Sequence, residues 1–290
     1  MTSLGHPGSI VVGIDGSENA DLALDWAAAE ATRQNLPLHL LHAVNIDWLV
    51  AAALISEPRD RPDVDEELDR ACNRARGAFP DLRVTAQATT GSPAHDLVEA
   101  SRSARQVVIG AHGRGRSRVA LGSVATAVTA HASCPVVVVR PYASPDQAHE
   151  PVVVGVDGSA VSERAIDFAL EHANRVGTSL VVVHAWWLDF VDGTVVTTPD
   201  SPQWNRARQR MELNVAESLG GHRERYPEVE VSTQFVQARP AVALSRASRK
   251  ASLLVMGSRG RGGFSGLLLG SASREVLMHA NSPVAVIRPA

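Results

Sequence analysis

Short apolar runs separated by longer amphipathic stretches set the rhythm of the first half of the chain. Ile10 to Ile14 is continuously apolar, the pattern of a strand buried on both faces. Leu38 to His42, Val84 to Ala88, Val107 to Ile109 and Val136 to Val139 supply four more strands. After the first run, Ser17 is placed to cap a helix, with Glu18 and Asp21 near its positive end. Ala23, Trp26, Ala27 and Ala31 then fall on one helical face. Helices are also predicted from Ala94 to Ser103 and from about Ser123 to Ala130. Asn45 to Glu67, charged and bearing prolines, shows no such period and reads as a long loop, a mobile flap rather than core. Five strands with intervening helices predict an α/β fold, a parallel sheet covered on both faces with right-handed crossovers.

The second half repeats the first. Ile10 to Val44 aligns without a gap with Val152 to Trp186, pairing Gly13 with Gly155, Asp15 with Asp157, Ser17 with Ser159, Trp26 with Phe168 and His42 with His184. The stretch from Pro80 returns from Pro227, and the halves close in CPVVVVRP and SPVAVIRP. Trp187 to Gln203 is the counterpart of the flap. The period is too long for a solenoid and gives two complete domains in tandem, 1–141 and 151–290. The polar segment YASPDQAHE, 142–150, joins them as a linker. A length of 290 residues accommodates two domains of about 140 each.

Composition narrows the functional classes. An apolar fraction of 44% with 20% charged residues fits a globular chain, and few aromatics leave the core to Val, Leu, Ile and Ala. A net charge of −3 argues against a general nucleic-acid binder. The N-terminal MTSLGHPGSI lacks the basic-then-apolar order of a secretory signal, and the apolar run Trp48 to Ile55 is too short to span a bilayer. Cys72 and Cys134 form no CxxC pair, which suits a reducing cytoplasm. The expected location is therefore cytoplasmic, with no membrane insertion.

Chemistry is concentrated in two loops per half, each at a strand end. In open α/β sheets, ligands bind beyond the carboxyl ends of the strands where the strand order reverses. One loop follows the first strand, Gly13-Ile-Asp15 and its copy Gly155-Val-Asp157; the other follows the fourth. The second of these runs GSRGRGGFSGLLLGS from Gly257 to Ser271, with Arg259, Gly260, Arg261, Gly262, Gly263 and Gly270. Its counterpart, GAHGRGRSRVALGS, carries Gly110, His112, Gly113, Arg114, Gly115, Arg116, Gly122 and Ser123. Glycines let backbone N–H groups turn inward, and the helix that follows, beginning Ser123-Val124 or Ser271-Ala272-Ser273, offers unpaired donors and partial positive charge. With the arginines, these features favour an anionic group, a phosphate chain above all, over an ordinary glycine-rich connection. Asp157 is placed to accept from ribose hydroxyls or hold a metal-bound water; Asp-Gly is also a common turn pair, and the two roles are compatible.

These residues resemble the ATP-binding universal stress proteins. The spacing Gly-x2-Gly-x9-Gly-Ser, here Gly257, Gly260, Gly270 and Ser271, looks like that family's nucleotide loop, and VGVDGS and SPVAVIRP are typical of it. The resemblance covers almost the whole chain as a tandem pair of the kind common in actinobacteria. It implies two Rossmann-like domains (adenine nucleotide alpha hydrolase-like), each with a five-stranded parallel sheet, that bind ATP, usually with Mg2+ held through the phosphates. It further implies that the aspartate and the backbone near Ala43 or Ala185 contact the nucleoside, while the glycine loop and the serine hold the phosphates. The resemblance also implies pairing of the two domains through the apolar last strands, and a homodimer. The first copy departs from the pattern, with eight residues rather than nine between Gly113 and Gly122, and with His112 in place of Arg259. That shorter path predicts the stronger site in the second domain.

No GxxxxGK[ST] loop exists, and Lys250 is the sole lysine, so P-loop chemistry is unsupported. GxGxxG does not follow the first strand, which argues against an NAD enzyme. His39 and His42 lie an odd number of residues apart on a strand and face opposite sides, poor geometry for one metal. His42 and His184 read as structural strand-end histidines. Three readings follow: an ATP-binding regulator of a stress or dormancy response with little or no turnover, a slow ATPase or nucleotidyl-transfer enzyme, and a nucleotide-free assembly scaffold.

Overall fold

The computed structural model describes residues 7–44, 64–113, 121–142, 145–186, 189–191, 194–196, 201–260 and 268–289. The chain divides into two compact units, Met1–Pro141 and Tyr142–Pro289. The first contains β1 (Ile10–Gly13), α1 (Glu18–Gln34), β2 (Leu38–Val44), α2 (Val64–Ala78) and β3 (Val84–Thr90). It continues with α3 (Pro93–Ala100), β4 (Gln106–Gly110), α4 (Ser123–His131) and β5 (Val136–Val139).

All strand pairs in this unit are parallel, in the order β3-β2-β1-β4-β5. The chain builds outward from β1 to β3, then crosses back to lay β4 on the other side of β1. The order therefore reverses between β1 and β4, and their carboxyl ends frame the crevice where such sheets take ligands. The core is aliphatic: Ile10, Val11, Val12, Val107 and Val108 are fully buried. β3, at an edge, alternates towards solvent with the polar sequence VTAQATT.

Ser17 caps α1 as its sequence position predicts, accepting from Ala20 N at 3.2 Å. The helix ends at Asn35, whose φ of 51° is the left-handed conformation that closes a helix. In the second unit a glycine, Gly177, performs the same function with φ 73°.

The second unit repeats the plan with β6 (Val152–Val156), α5 (Ala160–Val176), β7 (Leu180–Trp186), β8 (Asp189–Val191), β9 (Thr194–Val196) and α6 (Pro202–Arg225). Then come β10 (Val231–Gln237), α7 (Pro240–Ala247), β11 (Leu253–Gly257), α8 (Ser271–His279) and β12 (Val284–Ile287). Its parallel sheet runs β10-β7-β6-β11-β12. Before β6, residues 145–149 form a 3-10 turn. Buried Gln147 ties that turn down, its Nε2 donating to Ser248 O at 2.6 Å, Asn281 O at 3.0 Å and Ala251 O at 3.1 Å.

Several boundaries differ from the sequence expectation. The predicted loop Asn45 to Glu67 gives way to helix at Val64, and the predicted loop Trp187 to Gln203 contains the β8–β9 antiparallel pair and the start of α6. Residues 45–63, most of the expected flap, lie outside the described residues. α2 escapes the apolar pattern because Leu68, Ala71, Cys72 and Ala75 make a narrow buried stripe among charges. An Arg74–Asp25 fork, at 2.7 and 2.6 Å, clasps α2 to α1. The Asp25 bonds hold that guanidinium above its usual pKa range. The predicted helix Ala94 to Ser103 ends at Ala100, where Ser101 turns the chain.

Candidate functional site

In the first unit the segment after β1 is organised by one carboxylate. Gly16 takes a left-handed φ of 70°, and Ser17 N donates to Asp15 Oδ1 at 3.0 Å. This turn holds Asp15 beside the glycine loop so closely that a Cβ on Gly113 would meet Asp15 Oδ2. Gly110 is equally constrained, since a Cβ there would lie 2.8 Å from the backbone C and O of Asn19. Glycine is required because the start of α1 packs directly on the end of β4. The loop neck closes through Gly122 N donating to Ala111 O at 2.9 Å. Gly122 is the N-cap of α4 and brings no side-chain acceptor, so the helix start is capped by no side chain.

These elements enclose a cavity of about 440 Å3. Every described first-site candidate lines it: Gly13, Asp15, Ala43, Gly110, His112, Gly113, Gly122, Ser123 and Val124. Arg114, Gly115 and Arg116 lie outside the described residues. The sequence reading missed the apolar wall formed by Ile14, Leu41, Pro93, Leu97 and Ile109. In sequence, such residues are indistinguishable from core; only the alignment of α3 with the strand ends brings Pro93 and Leu97 to the crevice. One end of the cavity is therefore apolar, and the other is glycine backbone, a carboxylate and a helix start. His112 Nδ1 is buried with no hydrogen-bond partner there.

The second unit places the same parts differently. Gly155, Asp157, Ala185, Gly257, Arg259, Gly260, Ala272 and Ser273 line a cavity of about 120 Å3. Gly270 and Ser271 sit at the start of α8 without lining it, and Arg261, Gly262 and Gly263 lie outside the described residues. Asp157 again abuts the glycine loop, 2.6 Å from where a Cβ on Gly260 would stand. Its Oδ1, however, accepts from Ser159 N at 3.1 Å, Ser159 Oγ at 2.7 Å and Ser162 Oγ at 2.5 Å. Leu244 presses on the strand end, its Cδ1 2.7 Å from a Cβ built on Gly155; the matching distance from Leu97 to Gly13 is 3.2 Å. Burial, and then the charge of Arg259, lower the pKa of Arg288. The loop-length comparison ranks the second site higher, whereas the described geometry ranks the first higher. The one-residue difference arises over 114–121 against 261–269, of which 114–120 and 261–267 lie outside the described residues.

The histidines are anchored elsewhere. His39 Nδ1 bonds Thr85 Oγ1 at 3.0 Å, His42 Nδ1 stands 3.6 Å from Glu67 of α2, and the His184 ring lies 6.1 Å from that of Phe235. Among the described residues no helix is long and apolar enough to cross a membrane.

Residues 8–140 and 149–288 each match the universal stress protein family. A universal stress protein of Mycobacterium tuberculosis is 40% identical over 290 residues, covering 96% of each chain. One from Mycolicibacterium smegmatis is 37% identical over 291 residues, covering 97% of each. Among solved structures, a universal stress protein from Archaeoglobus fulgidus superposes with a TM-score of 0.61 at 21% identity, covering 98% of each chain. A structure described as a putative universal stress protein from Pseudomonas aeruginosa gives a TM-score of 0.63 at 18% identity, covering 99% of this chain and 95% of that one.

Proposed function

Since this chain belongs to the universal stress protein family, we propose that it is a nucleotide-dependent regulatory protein that binds ATP, with Mg2+, in its first unit. The observation that carries this reading is the 440 Å3 cavity at the β1/β4 reversal, apolar at one end and donor-rich at the other. Its volume falls within the roughly 300–1,000 Å3 of small-molecule sites. The apolar wall of Ile14, Leu41, Pro93 and Leu97 suits a purine face, and Asp15 suits ribose hydroxyls. The backbone of Gly113 and the start of α4 suit phosphate oxygens, which would carry the Mg2+.

Binding regulates only where ATP has different affinities for two conformations of the chain. A cytoplasmic location and a homodimer complete the proposal; light scattering tests the latter, and a monomeric mass refutes it. The central test is to denature the purified protein and chromatograph any released nucleotide, alongside a thermal-shift titration with Mg-ATP. Released adenine nucleotide or a saturable stabilisation is expected, because a ligand of the native state raises its stability. Absence of both overturns the reading.

A further inference from the structure

The two aspartates differ in what their Oδ1 atoms touch. In the first unit, Ser17 N is the donor to Asp15 Oδ1 among the described residues, and the position one helical turn into α1 is Ala20, which lines the cavity. In the second unit the equivalent position is Ser162. Its Oγ donates to Asp157 Oδ1 at 2.5 Å and accepts from Asp157 N at 3.0 Å, while Ser159 Oγ adds a further donor at 2.7 Å. With Ser159 N at 3.1 Å, three donors on Asp157 Oδ1 exhaust that oxygen's two lone pairs. An incoming hydroxyl would have to displace one of these bonds, with no net gain in hydrogen bonds, or turn to Oδ2, which is crowded against the glycine loop 2.6 Å from where a Cβ on Gly260 would stand.

We propose that Ser162 is a specificity-determining residue: its hydroxyl stands at Asp157 where a ligand hydroxyl would stand at Asp15, and it restricts nucleoside binding to the first unit. Leu244 acts in the same direction. By closing on Gly155 it takes space from the apolar end of the second cavity, about 120 Å3 against about 440 Å3 in the first. The chain therefore holds one nucleotide, although it carries two copies of the loop. This inference rests on the nucleotide reading of the site.

Isothermal titration of the full chain with Mg-ATP tests it, using the unaltered protein, Ala20→Ser, and Ser162→Ala combined with Leu244→Ala. The serine exchanges install residues that the other unit already tolerates at that position, and thermal midpoints verify folding of all the variants. One site per chain is expected for the unaltered protein. Ala20→Ser is expected to weaken it by about tenfold, the cost of one charged hydrogen bond. That weakening disappears with 2′,3′-dideoxy-ATP, which brings no ribose hydroxyl to compete. The double variant is expected to raise the stoichiometry towards two. No binding by the unaltered chain overturns the nucleotide reading and this assignment with it. Two equivalent sites in the unaltered chain, full affinity in Ala20→Ser, or a double variant that remains at one site overturns the assignment alone.

Discussion

The two units share a sheet order, a cap and a turn, yet the crevices they frame are unlike. In the first, Asp15 has one backbone donor among the described residues and faces a roomy cavity; in the second, Asp157 is bonded by its own neighbours and the cavity is about a quarter of the size. The residues responsible, Ala20 against Ser162 and the placement of Leu97 against Leu244, stand outside the glycine motif. A motif can be duplicated intact while the atoms behind it decide whether both copies are usable.

The sharpest way to break this comparison is to remove each carboxylate. Asp15→Ala is expected to weaken Mg-ATP binding by about ten- to a hundredfold, the worth of hydrogen bonds to a charged group, and Asp157→Ala to leave it nearly unchanged. Equal losses by calorimetry would show that the units are equivalent in solution.

A second contrast lies at the ends of β4 and β11. A Cβ on Gly110 would meet Asn19 backbone at 2.8 Å, whereas one on Gly257 would meet the Val161 side chain at 2.9 Å. Backbone yields less than a side-chain methyl, so Gly110→Ala is expected to cost up to about 3 kcal/mol and Gly257→Ala about 1 kcal/mol. Shifts in urea midpoint measure both, and the reverse order would place the rigid packing in the second unit.

The smallest effect is chemical. Cys134 precedes β5, and the equivalent position before β12 is Ser282. Burial pushes the Cys134 thiol up to about 12 from an ordinary 9.0. The folded chain therefore keeps the proton that the unfolded chain releases. The resulting stabilisation is complete below pH 9.0 and is lost as pH rises towards 12. Cys134→Ser is expected to flatten the alkaline part of the stability profile, and native Cys134 is expected to resist thiol reagents at neutral pH. An unchanged profile would remove this distinction between the halves.

Much of the fold was legible because buried parallel strands are nearly all Val, Ile and Leu, and Ser17 announces α1. The polar half of the site was legible too, since Gly13, Asp15, Gly110 and Gly113 lie at strand ends where topology must bring them together. Leu97 and Pro93 were not, because an apolar residue on α3 looks the same in sequence whether it faces the sheet or a ligand. α2 stayed hidden because its stripe from Leu68 to Ala75 is narrow. The ranking proposed above was not to be read from loop length, since a hydroxyl at residue 162 reads as helix filler until its bond to Asp157 is seen.

Gln147 also bears on the order of assembly. Its three carbonyl partners lie 101, 104 and 134 residues further along the chain. During vectorial synthesis the first unit emerges whole before the second, but the turn around Gln147 meets its first carbonyl partners only when Ser248 and Ala251 have been made, and its last with Asn281. The second unit is thus fastened from its beginning to its end, and nascent chains stopped before Asn281 leave that amide short of its full set of acceptors.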